Sequence, residues 1–194
     1  MLGTSGNLSI LISERQTTND EQRFLITVSG KDKGELTEDD FILVNENGES
    51  NERQTTNDER CPSAETLLHS AIYKQTSAKA VFHVHTTNST LLSNYALSGQ
   101  DKSCPYISFA GLEMIKGLGF KTHDVKVTIP VIENSQDMKY LATIAPSYIN
   151  EEVPGLLLKG HGIYAWGKSL QETKRHVEIF EFLFEYRVKE LSIL

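Results

Sequence analysis

The sequence predicts a single α/β domain in which helices alternate with the strands of a mixed sheet. Three observations carry that expectation. Short β-rich runs fill the first third of the chain, helix and strand patterns alternate from Pro62 onward, and a long amphipathic helix closes the sequence. At 194 residues, one domain spanning 1–194 is long enough to bury a sizeable core without staples.

The elements follow in order. NLSILIS (7–13), RFLITVSG (23–30) and FILV (41–44) read as short strands. The heptamer ERQTTND occurs at 14–20 and again at 52–58; its period is not propagated, which excludes a solenoid, and both polar copies read as surface loops. Ser63 can cap a helix running through Tyr73, with Leu67, Leu68, Ala71 and Ile72 on its apolar side. The strand AVFHVH (80–85) leads to a helix over about Thr87–Leu97. PYISF (105–109) is a strand, Leu112–Leu118 a helical segment, and VKVTIPVI (125–132) a strand. Residues 135–149 read as a helix despite Pro146, and GLLLKGHGIYAWG (155–167) as two strands meeting at a glycine-flanked histidine. In the last helix Ser169 and Glu172 have capping-box spacing. There Leu170, Val177, Phe180, Phe184 and Leu191 recur at helical intervals, a stripe for the core or a subunit interface.

Composition narrows the function. The formal net charge of −7 argues against a sequence-independent grip on nucleic acid, which needs phosphate neutralisation, but leaves room for a small anionic substrate. Two cysteines, Cys61 and Cys104, cannot form a disulfide framework and suit a reduced compartment. No run has membrane-spanning length and no basic segment with an apolar core follows Met1, so the expected location is the cytoplasm. The sequons at Asn7 and Asn88 are then chance matches.

Two of the six histidines stand one residue apart in HVHTTNST (83–90). On a strand His83 and His85 point to the same face. Such a pair can close on one ion or simply sit as two polar residues at a sheet edge. His161, between Gly160 and Gly162, is a third imidazole that a sharp turn would expose. Three neutral imidazoles suit a divalent transition ion with positions left open for substrate. Spacing alone does not bring 83 and 161 together.

The motifs TSGNLS (4–9), SGKDKG (29–34), PSAETLLH (62–69), HVHTTNST, EMIKG (113–117) and GHGIYAWG (160–167) occur in that order. Together they resemble the class II aldolase family, most closely its methylthioribulose-1-phosphate dehydratase branch, from Thr4 to about Glu190. The resemblance implies a three-layer α/β/α fold on a mostly antiparallel sheet. It also implies one Zn²⁺ per subunit on His83, His85 and His161, a small phosphorylated sugar as substrate, and a homo-oligomer, with a cyclic tetramer favoured and active sites near subunit interfaces. Neither nucleic acid nor membrane is an expected partner. The family carries a helix before the TSGN motif, whereas this chain begins almost at it; either that helix is missing or the recorded start is late, and without it the first strand and the Gly6-Asn7 loop are expected to have less cover.

The same resemblance assigns the remaining site residues. Glu113 matches the catalytic glutamate of the dehydratase branch; Glu65 matches the acid/base of the aldolase branch and is the alternative, or a residue that orients a ligand. Gly6, Asn7, Ser29, Gly30 and Ser63 match phosphate-cradling positions, and Lys116 could add a point charge. Ala64 stands where aldolases often carry a second hydroxyl. Three functions remain in view: dehydration of a methylthiopentulose phosphate, aldol cleavage of a ketose 1-phosphate, and a metal-stapled interaction module without catalysis.

Overall fold

The computed structural model describes residues 6–13, 22–50, 61–98 and 106–193; both ERQTTND copies and Cys104 lie outside them. The strands are β1 (Asn7–Ser13), β2 (Arg23–Thr27), β3 (Phe41–Asn45), β4 (Ala80–Val84), β5 (Tyr106–Phe109), β6 (Val127–Ile132), β7 (Gly155–Leu158) and β8 (Gly162–Gly167). They form one sheet in the order β3-β2-β1-β4-β8-β7-β6-β5. Every neighbouring pair is antiparallel except β6–β7. The helices are α1 (Thr66–Gln75), α2 (Thr87–Ser98), α3 (Met138–Ile144) and α4 (Leu170–Ile193).

Alternation of side chains along the strands builds two cores, one per face. On one face Phe24, Ile26, Val81, Tyr164 and Trp166 pack with Leu68 and Ile72 of α1 and Leu141 of α3. On the other, Val84, Ile163, Ala165 and Leu157 pack with Leu92 of α2 and Phe180 and Phe184 of α4. This is the three-layer α/β/α arrangement on a mostly antiparallel sheet. The aromatic stripe of α4 is core: Phe180 and Phe184 are fully buried, and Val177 and Leu191 pack against the same cluster, while Leu170 is exposed.

Some boundaries differ from the sequence reading, each for a local reason. The backbone from Ser63 makes a turn first, with Thr66 N–H donating to the Ser63 carbonyl and Glu65 N–H to Ser63 Oγ, so α1 starts at Thr66. In the 135–149 segment Asp137 accepts from Tyr140 N–H and sets the start of α3 at Met138. Pro146 has no N–H to continue it, and the chain tightens into a 3₁₀ turn over Ala145–Ser147. Residues 113–118 are also 3₁₀ rather than α. At α4, Ser169 Oγ accepts from Glu172 N–H as the capping box requires, but the Glu172 carboxylate reaches back to Lys168 N–H.

The sheet has two ends, and the register sorts the motifs between them. Val84, Ile163, Leu158 and Ile132 share one end, through the pairs Val84↔Ile163, Leu158↔Gly162 and Ile132↔Leu158. Ala80 and Gly167 share the other.

Candidate metal centre

His83 lies in the last paired positions of β4, between Asn7 of β1 and Tyr164 of β8. Its ring is fully buried, stacked on Tyr164 at 4.1 Å, and Nδ1 donates to the Ile163 carbonyl at 3.1 Å. That bond fixes the tautomer and leaves Nε2 as the lone-pair nitrogen, which is how metal-binding imidazoles are commonly oriented. His85 follows on the same face and is exposed. His161 sits on the β7–β8 turn, where Gly160 adopts φ +63° and Thr90 donates to the His161 carbonyl. Gly162 matters for space: a Cβ there would come 2.4 Å from the Val84 carbonyl oxygen and 2.9 and 3.1 Å from the ring edges of His85 and His83, closer than ordinary contact allows.

The three ligand-type nitrogens converge. His83 Nε2 is 2.8 Å from His85 Nε2 and 3.4 Å from His161 Nε2. Tetrahedral ligands about 2.0–2.1 Å from zinc stand roughly 3.4 Å apart, so the cluster fits one divalent ion. Burial first, then the neighbouring imidazoles, holds His83 far below its ordinary pKa and His85 at about 4. Both rings are therefore neutral near pH 7, the form that offers a lone pair. His161 Nδ1 is buried without a hydrogen-bond partner among the described residues.

Glu65 is the carboxylate of this site. The turn before α1 places its oxygens 3.4 Å from His83 Nε2 and 3.3 Å from His161 Nε2. Asn7 Nδ2 donates to Glu65 Oε2 at 2.5 Å, and the Asn7 Oδ1 accepts from His69 Nε2. The buried hydroxyl of Tyr164 faces the same carboxylate but falls short of a well-formed hydrogen bond; burial and then the Glu65 charge keep it protonated.

The phosphate-type residues gather at this end of the sheet. Gly6 (φ +94°) passes directly under the His83 carbonyl, where a side chain has no room. Ser29 N–H bonds the Cys61 carbonyl and Ser63 N–H the Thr27 carbonyl, so Ser29, Gly30 (φ +78°) and Ser63 lie side by side where β2 ends. Asn7 differs from the rest, since both ends of its amide are already engaged inward.

Glu113 and Lys116 are elsewhere. Phe109 pairs with Val127 at the start of β6, and Gly117 abuts Ile179 and accepts from Arg175 of α4. This is the opposite end of the sheet from the histidines; the length of β6 alone accounts for about 16 Å. There Glu113 is largely exposed, bonded to Lys116 at 2.6 Å and His123 at 3.1 Å, and Lys116 holds its pKa below the usual glutamate range. His69, Tyr164 and His123 escaped the sequence reading. The four-residue spacing of Glu65, at the N-cap of α1, and His69 within it was the available signal for the first; nothing local marks the other two.

An α/β/α domain that gathers three imidazoles and a carboxylate at one sheet end has the donor set for a divalent ion. The chain belongs to the class II aldolase and adducin N-terminal domain family, whose model matches residues 1–188. Class II aldolases are metal-dependent. A methylthioribulose-1-phosphate dehydratase of Bacillus subtilis (strain 168) is 44% identical over 186 residues, covering 96% of this chain and 83% of that protein. One of Persephonella marina is 45% identical over 184 residues, covering 94% and 79%. Among solved structures, an L-fuculose 1-phosphate aldolase superposes with TM-score 0.73 at 25% identity, covering 98% of this chain and 78% of that one. The enzyme of that name from Thermus thermophilus gives TM-score 0.64 at 23% identity, covering 97% and 88%, a likeness of fold. Among the described residues no helix is long and apolar enough to cross a membrane.

Proposed function

We propose that the protein is a hydro-lyase that dehydrates 5-methylthioribulose 1-phosphate to 2,3-diketo-5-methylthiopentyl 1-phosphate, a step of methionine salvage. The observation that carries this is the run of relatives named for that dehydratase, 42–45% identical over 94–98% of the chain. His83, His85 and His161 would hold a divalent ion, zinc by the donor set, which when bound would supply Lewis-acid polarisation of the substrate carbonyl. Glu113 takes the C3 proton and returns it to the C4 hydroxyl, which leaves as water while the C3–C4 double bond forms. The resulting enol tautomerises to the diketone. Ser29, Gly30, Ser63 and Gly6 cradle the phosphate with hydroxyls and backbone N–H groups.

Because Glu113 stands at the far end of its own sheet, it serves the metal centre of a neighbouring copy, with Lys116 beside it. A head-to-tail ring gives each metal end one such neighbour, and a cyclic tetramer satisfies this closure. Mixing two inactive variants tests it. Glu113→Gln keeps the metal and His85→Ala keeps the glutamate, so co-assembled subunits recover activity, about a quarter of wild type for random one-to-one mixing in a ring. Failure to recover any activity in confirmed mixed oligomers would place the base within the chain.

Aldol cleavage is the second reading, favoured by the Glu65 carboxylate at the histidine cluster. The mass of the product from the methylthiopentulose phosphate separates the two. Loss of water supports dehydration, and two smaller fragments support cleavage.

A further inference from the structure

Behind the histidine cluster runs a buried chain of hydrogen bonds that the proposed reaction does not use. Tyr73 OH and Ser9 Oγ are 2.7 Å apart, and Ser9 Oγ lies 2.6 Å from His69 Nδ1. His69 Nε2 bonds Asn7 Oδ1, and Asn7 Nδ2 bonds Glu65 Oε2. Ser9 and His69 are fully buried, and Asn7 and Tyr73 nearly so. Only one polarity satisfies every link. Asn7 presents its amide N–H₂ to the Glu65 carboxylate, so its carbonyl faces His69 and requires an N–H on Nε2. Nδ1 is then an acceptor, Ser9 must donate to it, and Tyr73 donates to Ser9. Each donor points towards Glu65, and a chain aligned in one sense polarises along its length.

We propose that His69 is a positioning residue: acting through the Asn7 amide, it holds the Glu65 carboxylate in one orientation against His83 and His161. Burial keeps the His69 ring neutral, at about 3, so the tautomer persists across the ordinary pH range. Asn7 thereby works as a relay rather than as a free phosphate ligand. Any cation on the three histidines meets the Glu65 charge, so His69 governs metal affinity from two residues away. This rests on the histidine cluster holding a divalent ion and does not depend on which sugar phosphate is turned over.

The test compares two amide replacements of one ring. In His69→Gln the side-chain N–H₂ stands near the Nε2 position and keeps the bond to Asn7. In His69→Asn the shorter amide keeps Ser9 and loses Asn7. Zinc affinity is read by competition with a chromophoric chelator. His69→Asn should weaken it roughly 10–100-fold, the usual cost of losing an outer partner at a metal site, and His69→Gln should restore most of the loss. In a Glu65→Gln background His69→Asn should cost nothing further. Equal losses in the two amide variants, or a loss that persists without the Glu65 charge, would overturn the proposal. If His69→Asn does not fold, Asn7→Leu breaks the next link and carries the same cycle with Glu65→Gln. Wild-type protein that binds no zinc would instead refute the metal centre itself, an outcome visible before any variant is made.

Discussion

Replacing Gly162 by alanine adds one methyl group at the tightest point of the metal end. That methyl carbon would stand 2.4 Å from the Val84 carbonyl oxygen, 2.9 Å from His85 Cδ2 and 3.1 Å from His83 Cε1. Comfortable contact begins at about 3.5 Å, so the backbone clash amounts to roughly 1 Å. The carbonyl belongs to a paired strand and cannot swing aside as a side-chain tip would. β8 must therefore part from β4, or the two imidazoles must rotate. Overpacking of this kind costs about 1–3 kcal/mol of stability. Metal sites tolerate departures of only about 0.2 Å in ligand distance, so the loss in metal affinity should exceed the loss in stability. The assay is chemical denaturation of metal-free protein, followed by zinc titration of the folded variant. Gly162→Ala protein that keeps wild-type affinity would refute the claim that this glycine spaces the ligands.

Other outcomes follow from the same geometry. Glu113→Gln should reduce turnover by about 10²–10⁴-fold with zinc content unchanged; Glu65→Gln should be milder in turnover but lower the metal affinity, and the reverse ranking would make Glu65 the base. His85→Ala should lower bound zinc measured by elemental analysis, not turnover alone. Acid should destabilise the metal-free fold. His69 is held at about 3 by burial, against about 6.5 when unfolded, so the unfolded chain binds a proton that the native chain refuses between those values. The stability is complete above pH 6.5 and falls as pH drops below it, by about 1.4 kcal/mol per pH unit for one such histidine. Fully buried His83 acts in the same direction. Urea midpoints measured with a chelator from neutral pH to about pH 5 check this, and a flat profile would show that the buried rings are not neutral.

The sheet and its layers were legible because alternation and helical spacing are local signals. AVFHVH gave both a strand and the shared face of two imidazoles, and GHG gave the turn that presents the third. What local pattern does not encode is which strand lies beside which. The pairing of β4 with β8 brings His161 to His83, and ordered motifs resembling a family supplied that link in the sequence reading. The same limit explains Glu65 and Glu113. Both were singled out, but only the register puts one against the histidines and the other at the opposite end of the sheet. Boundary shifts at Ser63 and Pro146 came from capping competition and a missing N–H, which composition alone does not rank. Tyr164 hid within an apolar strand because its role depends on the ring it stacks upon, one strand away.

The position of β4 also bears on how the chain is made. One of its neighbours, β1, has already been synthesised when β4 leaves the ribosome, whereas the other, β8, arrives much later: His83 and its β8 partner at Ile163 are 80 residues apart. At ordinary elongation rates this leaves a nascent edge of alanine, valine and phenylalanine uncovered for roughly 4–16 s. During that interval the strand that carries the two histidines is open to mispairing with another chain. Chaperones that shield apolar nascent edges should therefore affect yield most for polypeptides stalled between residues 90 and 160, and slower translation across that stretch should lower the soluble fraction.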